Sequence, residues 1–480
     1  MAAAARELPT LNRLLYASGS LGGNALSRSR DLWLIFFYAP PGDADTPERI
    51  PILVLGALLA AARVVEALDD PLIGWWSDRT RSRWGRRIPF VVLATPPLAI
   101  FAVLIWIPPQ GHEGFANAIY FFVILEAYHL FGTLSGGPFE SLLPEIAPGA
   151  RSRVSVVTWQ VFFGTIGTFM ALVVSGIIID VWGFAVMGAV MAALAVLSRY
   201  VALGGVWRYV RRDVEPATLD LRGAIRATLA NDQFRSFLPS FVFFNMAISL
   251  MTASLPFWVS AVLLKGFPPD VAGLESGASA TLQVFALELD VGVGTIVGVL
   301  TGAAILVVLL TLPFVYRLAL RRGKAWVYSQ AMLMAAVCLP LLAFMGFIPG
   351  VNDLLQAVLL VGLVGVPMTA VFTFPNAIQA DIIDYDALRT GERREAIYYG
   401  TQSTLEKIAG SLFPLILAAL LLLGSSADNP LGIRLVGPVA GLCSLIGYVT
   451  FRAYRLPDEV TAESVAGLAP RRVKGPKESV

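Results

Sequence analysis

The chain has 480 residues, of which 56% are hydrophobic and only 15% are charged. Soluble domains carry about 25% charged residues, so the composition excludes an ordinary soluble protein and indicates a polytopic membrane protein. A net charge of +2 gives no reason to expect nucleic acid as a partner, and the two cysteines lack metal-ligand spacing. The N-terminus lacks the apolar core and cleavage site of a signal peptide, so we expect the first span to insert uncleaved.

Twelve apolar segments are long enough to cross a bilayer, which takes about 20 residues. We expect spans at approximately 12–39, 51–76, 88–108, 115–143, 154–179, 183–207, 235–264, 291–318, 325–347, 352–376, 397–424 and 432–453. Arginine and lysine gather in alternate connections, and the opposite connections are acidic or neutral. By the positive-inside rule, both termini face the cytoplasm of a multi-pass protein in the plasma (inner) membrane.

The longest polar cytoplasmic stretch, 208–234, divides the spans into six and six. This pattern predicts an all-α integral membrane protein with two six-helix bundles, residues 1–207 and 235–454, and a disordered cytoplasmic tail, 455–480. Two repeated halves that move about a site near the midplane are typical of secondary transporters. The sequence assigns no role to 265–290, a second long connection.

An acidic cluster interrupts the second span. Glu66 and Asp70 are one helical turn apart, Asp69 adjoins them, and Arg63 can neutralise only one of the three carboxylates. Each ionisable group at that depth costs roughly 2.5–3.5 kcal/mol on insertion scales, so the cluster predicts a wet cavity with a small-cation or proton site. In the structural alternative, Arg63 only neutralises Glu66, and Asp70 caps a helix segment that begins at Pro71.

Two motifs, one in each half, resemble the signature of a known family. They are EALDDPLIGWWSDRTRSRWGR at 66–86 and ADIIDYDALRTGERRE at 380–395, the second followed by Lys407. The family is the glycoside–pentoside–hexuronide:cation symporters, the melibiose-permease-like branch of the major facilitator superfamily. The resemblance implies the twelve-helix facilitator fold and a secondary transporter that works by alternating access. It implies no enzymatic activity.

The same resemblance implies a cation site. Glu66 and Asp70 align with the two carboxylates of that site and would hold Na⁺ in a sodium-coupled protein, and Asp69 adds a charge. Thr133 aligns with a hydroxyl ligand on the fourth span, and Lys407 with a lysine that faces the site. For Lys407, the alternative is a lysine that extends toward the membrane surface. We expect no cofactor beyond the coupling ion, Na⁺ or H⁺.

The residues that form the sugar site in the family pattern are missing from this chain. The family has acidic residues on spans 1 and 4 where this chain has Asn24 and Gly136, and an arginine on span 5 where it has Gln160. A galactoside carrier of the melibiose type is therefore not expected. The substrate is expected to be another polar, glycoside-like small molecule. We expect a monomer whose partners are that substrate, a monovalent cation and membrane lipid.

Span 1 carries Arg28, Arg30 and Asp31. Arg28 and Asp31 are three residues apart and can pair, which leaves Arg30 on another face. Because the arginine fork suits carboxylate, phosphate or sulfonate, Arg28 or Arg30 is a candidate contact for an anionic substrate group; the alternative is a structural ion pair. Asn24 and Gln160 are candidates for hydrogen bonds to the substrate. Tyr128 or Trp159 is a candidate for stacking on a sugar ring, although a lone aromatic in a membrane helix more often only packs. His129 is either a proton relay or, as we favour, a hydrogen-bonded structural histidine.

Charged residues near the cytoplasmic ends of the spans predict a gate made of ion pairs between the halves. Plain topogenic charge explains the arginines but not the interspersed acids. The candidate gate residues are Asp78, Arg79, Glu140, Arg151, Arg153, Asp381, Asp384, Arg393 and Arg394.

The sequence leaves two other functions open. One is a cation-dependent transporter of a lysophospholipid-like amphipathic lipid, which suits arginines in an apolar cavity. The other is a non-transporting membrane receptor, in which the intramembrane carboxylates would have no function. An enzyme is not expected, because no nucleophile–base pair or phosphate-binding loop is present.

Overall fold

In a computed structural model, the chain forms long helices with short connections. The structure describes residues 8–42, 47–147, 150–210, 226, 228–264, 279–284, 287–347, 353–390 and 395–457. Most of the predicted central loop, 208–234, and of the predicted tail, 455–480, therefore lies outside the described residues.

In the first half of the chain, the described part of residues 10–206 forms seven helices. They are α1 (Thr10–Tyr38), α2 (Ile52–Arg79), α3 (Ile88–Leu104), α4 (Phe115–Glu140), the short α5 (Leu143–Ile146), α6 (Ala150–Phe169) and α7 (Ser175–Val206). A π-helical turn, Met170–Val174, joins α6 to α7, and α7 breaks at Gly183 (φ 80°, ψ 175°). A positive φ of this size is accessible to glycine at little cost, so Gly183 is where the chain turns back.

In the second half, the described residues between 232 and 451 form eight helices and one strand pair. The helices are α8 (Asp232–Trp258), α9 (Val293–Arg322), α10 (Lys324–Leu341), α11 (Asp353–Thr373), α12 (Pro375–Thr390), α13 (Glu395–Gly410), α14 (Leu412–Leu421) and α15 (Leu431–Phe451). Val259–Leu263 extends α8 as a π-helical turn, and Leu342–Phe344 forms a 3₁₀ turn after α10. Strand β1 (Ser279–Val284) pairs antiparallel with β2 (Leu287–Gly292). The chain is therefore helical as predicted, apart from these two strands in the 265–290 connection.

Among the residues that the structure describes, eight helical stretches are long and apolar enough to cross a membrane. They are Phe115–Glu140, Ser155–Val206, Asp232–Leu263, Val293–Arg322, Lys324–Phe344, Asp353–Thr390, Ile397–Leu421 and Leu431–Phe451. The Gly183 break divides the second of these, which is 52 residues long. Helices α1 and α2 have the length of a span but carry the charged clusters, and α3 is apolar with only 17 residues.

The two halves pack on each other at the end where α1 stops and α2 starts, which is the predicted outer face. Phe36 of α1 meets Phe257 of α8 edge to face, with ring centroids 5.2 Å apart. Gly176 of α7 and Gly294 of α9 touch backbone to backbone, so that a side chain on either would overlap the other's carbonyl. This face is closed by aromatic and glycine contacts between α1 and α8 and between α7 and α9.

Candidate cation and substrate site

A lysine from the second half lies between two carboxylates of the first half. The Nζ atom of Lys407, on α13, is 2.5 Å from Oδ2 of Asp70 and 3.1 Å from Oε1 of Glu66, both on α2. The hydroxyl of Thr133, on α4, donates to Oδ1 of Asp70 at 3.2 Å. The structure thus brings together four of the five residues predicted for the cation site, and all of these charged side chains are partly buried.

These groups have the chemistry of a monovalent-cation site. Carboxylate and hydroxyl oxygens are the hard ligands that Na⁺ accepts, and the single ammonium of Lys407 already contacts both carboxylates. Within the described ranges, no three His, Cys, Asp or Glu side chains are close enough to hold a metal ion. Two carboxylates with Thr133 therefore form the oxygen set available to a cation here. Asp69 lies on the same helix within the electrostatic reach of Asp70 and Glu66.

The ion-pair network continues from the cation site into α1. Nη1 of Arg63 is 3.4 Å from Glu66, and its Nη2 is 4.0 Å from Asp31. Arg30 binds the same Asp31 oxygen through both Nε (3.1 Å) and Nη2 (2.6 Å). The predicted pairing of Asp31 with Arg28 is therefore wrong, since Arg30 takes its place. Arg28 is exposed and forms no ion pair or hydrogen bond with any described residue.

His129 has a partner, which the sequence did not predict. Its Nε2 lies 3.0 Å from Nη1 of Arg30. An arginine can only donate, so Nε2 accepts and the ring proton belongs on Nδ1, which is buried without a partner. The guanidinium of Arg30 also lies over the ring of Tyr128, 4.9 Å from its centroid. Arg30 is thus fixed on three sides by Asp31, His129 and Tyr128.

Three predicted substrate residues lie apart from this network. Asn24 donates to the carbonyl of Ser20 at 2.9 Å, and Trp159 packs edge to face on Phe162. No hydrogen bond or ion pair in the described part of the chain links Asn24, Trp159 or Gln160 to Arg30. Their assignment to the substrate site stays a prediction.

The predicted gate residues lie on several helices. Asp381 is held by Lys324 at 2.7 Å, a contact within the second half. Glu140 ends α4, Arg79 ends α2, and Asp384 lies on α12. Arg153 lies on α6 with its Nε buried and without a hydrogen-bond partner. Arg393, Arg394 and the side chains of Asp78 and Arg151 lie outside what the structure describes.

Sequence reasoning missed three charged residues near these sites. Oε1 of Glu126, on α4, is buried without a hydrogen-bond partner and lies within the electrostatic reach of Asp69 and Glu66. Glu145 on α5 binds Arg86 and Arg87 at the opposite end of the first half. Arg199, on α7, lies over the ring of Phe139. The signal available for Arg199 was an arginine inside a predicted span.

Comparison with known proteins supports the resemblance in both halves. The family described as MFS/sugar transport protein matches residues 15–287 and 271–425. The inner membrane symporter YicJ of Escherichia coli is 23% identical over 261 residues, 53% of this chain and 55% of the relative. The lactose permease of Lactobacillus delbrueckii is 24% identical over 430 residues, 84% and 61% of the two chains. The sodium-dependent lysophosphatidylcholine symporter 1 of Xenopus tropicalis is 26% identical over 132 residues, which are 27% of this chain and 25% of the relative. The matches thus cover at most 61% of these relatives.

Solved structures are similar in fold. A bacterial homologue of the human drug peptide transporters superposes with a TM-score of 0.62 at 13% identity, over 92% of this chain and 98% of that one. The nucleoside transporter NupG superposes with a TM-score of 0.60 at 14% identity, over 92% of this chain and 99% of that one. At these identities the similarity concerns the fold alone. The family match over most of the chain and the two motifs lead to one conclusion: this chain belongs to the MFS/sugar transport protein family, as a member of the glycoside–pentoside–hexuronide symporters.

Proposed function

We propose that the protein is a secondary active symporter that couples the inward flow of Na⁺ or H⁺ to the uptake of a polar small molecule. The observation that carries the proposal is the contact of Lys407 with Glu66 and Asp70. It joins a cation from one half to a carboxylate pair from the other. An ion that binds the carboxylates changes a contact between the halves, which is what coupling to a conformational change requires.

The proposed coupling is an exchange of cations at one pair of carboxylates. Na⁺ binding, or protonation of Asp70, weakens the attraction between Lys407 and α2, because the carboxylates are then neutralised by another cation. The displaced α13 is then free to change its position relative to α2. If the substrate favours the same state, substrate and cation raise each other's affinity by the same factor.

The proposed architecture is twelve spans in two groups of six. The eight apolar stretches become twelve when the Gly183 break is counted and α1, α2 and α3 are added. Contacts between α1 and α8 and between α7 and α9 lie at the predicted outer face. We infer that this conformation is closed to the outside and that transport requires those contacts to open.

For the substrate we propose a polar molecule with an acidic group. Arg28 is exposed and forms no ion pair or hydrogen bond with a described residue, and Asp31 and Glu406 act on its charge only from beyond ion-pair distance. Arg30, Arg63 and Lys407, in contrast, all have carboxylates in direct contact. A guanidinium in such a position suits a carboxylate, phosphate or sulfonate. A sugar that carries such a group would pair with the charge of Arg28. It would also agree with the sugar-transport family to which the chain belongs.

Uptake into proteoliposomes tests the coupling. Glu66→Gln and Asp70→Asn keep the size of each side chain and remove its charge. We expect both variants to insert and to lose the dependence of uptake on the Na⁺ or H⁺ gradient. Glu113→Gln, at an exposed position on the connection before α4, is the matched control. Accumulation that still follows the gradient in both site variants would contradict the assigned site.

A lipid substrate is the second candidate. It is favoured by the similarity of part of this chain to a lysophosphatidylcholine symporter. Competition between acidic sugars and lysophospholipids for one labelled ligand separates the two. Displacement by lysolipids alone would replace the sugar proposal and leave cation coupling in place.

A further inference from the structure

A cavity lies inside the first half, between α1, α3, α4 and α7. Its volume is about 170 Å³. The walls include Leu26, Leu98, Tyr128, Val196 and Arg199. Engineered apolar cavities of about 150 Å³ bind benzene, so this one has room for a single six-membered ring. It is too small for a disaccharide, since pockets for larger ligands measure about 300 Å³ or more.

Arg199 is the cavity's charged group. Its guanidinium carbon lies 4.1 Å from the centroid of the Phe139 ring, which fixes the side chain inside the bundle. A methyl group built on Gly23, across the cavity, would be 3.7 Å from Nη2 of Arg199. Among the described residues, no carboxylate or carbonyl oxygen lies within hydrogen-bond or ion-pair distance of this guanidinium. Glu140 acts on this guanidinium only from beyond ion-pair distance, so its five donors remain available to an anion that makes direct contact.

The other polar groups of the cavity select for the same kind of ligand. The hydroxyls of Ser27 and Thr95 donate to carbonyls of their own helices, at 2.9 and 2.6 Å. The phenol of Tyr128 forms no hydrogen bond with a described residue and is a free donor. No aspartate or glutamate lines the cavity. Because the Ser27 and Thr95 hydroxyls have already donated their hydrogens, Arg199 and Tyr128 are the donors that the cavity offers to a ligand, and the rest of the wall is largely apolar.

We propose that this cavity binds a small organic acid, one ring with a carboxylate or similar anionic group. The ring would occupy the apolar part beside Leu98 and Val196, and the anion would accept hydrogen bonds from Arg199 and Tyr128. The site is separate from the cation site, because Arg199 has no contact with Glu66, Asp70 or Lys407. Binding here does not depend on the proposed transport function.

The experiment uses the purified full-length chain in nanodiscs and titrates benzoate and benzyl alcohol by calorimetry. Benzyl alcohol has the same ring and no charge, so it is the matched ligand control. We expect benzoate to bind at least about tenfold more tightly, because a hydrogen bond to a charged group is worth about that factor or more. In Arg199→Gln the preference for benzoate should disappear. Unmeasurable binding of benzoate to the native chain would overturn the proposal, as would equal affinity in Arg199→Gln.

A second variant tests the cavity without touching the charge. In Gly132→Ala, the new methyl would lie 3.8 Å from Leu98, in ordinary contact, so it takes up space in the cavity without a clash. Gly137→Ala is the control on the same helix, since its methyl meets open space and is not part of the cavity wall. Both changes favour the helix, so both variants should fold. Weaker benzoate binding in Gly132→Ala alone supports the site, and an equal effect of both variants contradicts it.

Discussion

The Nζ atom of Lys407 lies 2.5 Å from Oδ2 of Asp70, although the two residues are 337 positions apart in the sequence. One belongs to the second half of the chain and the other to the first. A side-chain ammonium thus binds the carboxylate at which a transported cation would be expected. Since two cations repel each other at this range, Lys407 and a bound Na⁺ compete for the same oxygens.

The first prediction concerns this competition. Replacing Lys407 by glutamine removes the internal cation and leaves Glu66 and Asp70 without their neutralising partner. We expect Na⁺ to bind Lys407→Gln about tenfold more tightly or better, because the ion no longer has to displace an ammonium. Na⁺-dependent thermal stabilisation of the purified protein measures this affinity.

Lys324→Gln is the matched control for that measurement. Lys324 also pairs with an aspartate, Asp381, but does so within the second half and away from Glu66. The Na⁺ affinity of Lys324→Gln should equal that of the native chain. Weaker Na⁺ binding in Lys407→Gln would mean that the lysine supports the ion rather than replacing it.

The second prediction concerns a carboxylate at the predicted outer face. Asp180 of α7 accepts hydrogen bonds from the backbone N–H of Gly294 at 3.0 Å, and from the N–H and hydroxyl of Thr295, both at 2.6 Å. These three bonds cap the start of α9 across the boundary between the halves. Hydrogen bonds to a charged group are worth roughly 1.5–3 kcal/mol each, so Asp180 should hold the outer face closed.

We expect Asp180→Ala to raise the population of the outward-open state. Distances between spin labels on the outer ends of α7 and α9, measured by pulsed EPR, should shift toward longer values. Thr295→Val removes only one of the three bonds and should give a smaller shift in the same direction. Unchanged distance distributions in Asp180→Ala would mean that glycine and aromatic packing alone closes this face.

The third prediction tests the glycine contact beneath that cap. A methyl at Gly176 would overlap the carbonyl of Gly294, so α7 and α9 could not approach as closely. Overpacking costs typically about 1–3 kcal/mol, and here it falls on the closed conformation alone. Gly176→Ala should therefore slow substrate uptake severalfold while the protein remains folded.

Gly204→Ala serves as its control, because a methyl there meets open space on the same helix. Its uptake rate should equal the native rate. An equal loss in both variants would indicate a general effect of alanine on α7 and would contradict a specific role for the Gly176–Gly294 contact.

The family resemblance implied that Lys407 faces the cation site, and the structure places its Nζ atom against Asp70 and Glu66. The predicted pairing of Asp31 failed because contacts from α4 decide which arginine of α1 reaches it. Helical spacing pairs Asp31 with Arg28, but His129 and Tyr128 on α4 hold Arg30 instead, and a single-helix pattern carries no information on α4. Arg199 was missed for the same reason, since its position depends on Phe139 of another helix. The fold class follows from apolar periodicity, whereas the contacts between helices do not.

The last prediction concerns an ion cluster inside the first half. Oε1 of Glu145 lies 2.9 Å from Arg86 and 2.8 Å from Arg87, and the Glu145 side chain is only 5% exposed. Arg87 also donates to the carbonyl of Ser141, so the cluster ties the start of α3 to the segment after α4. Removing the negative charge deprives both arginines of the carboxylate that they share. Breaking a buried ion pair in this way costs about 3–5 kcal/mol.

Glu145→Gln should therefore lower the melting temperature of the detergent-solubilised protein by several degrees. Glu113→Gln makes the same chemical change at an exposed position and should shift it by very little, because surface substitutions usually change stability by less than about 0.5 kcal/mol. Arg86→Gln should be milder than Glu145→Gln, since Arg87 still neutralises the carboxylate. A melting temperature of Glu145→Gln equal to that of Glu113→Gln would show that water replaces the carboxylate between the two arginines, and that the cluster does not stabilise the fold.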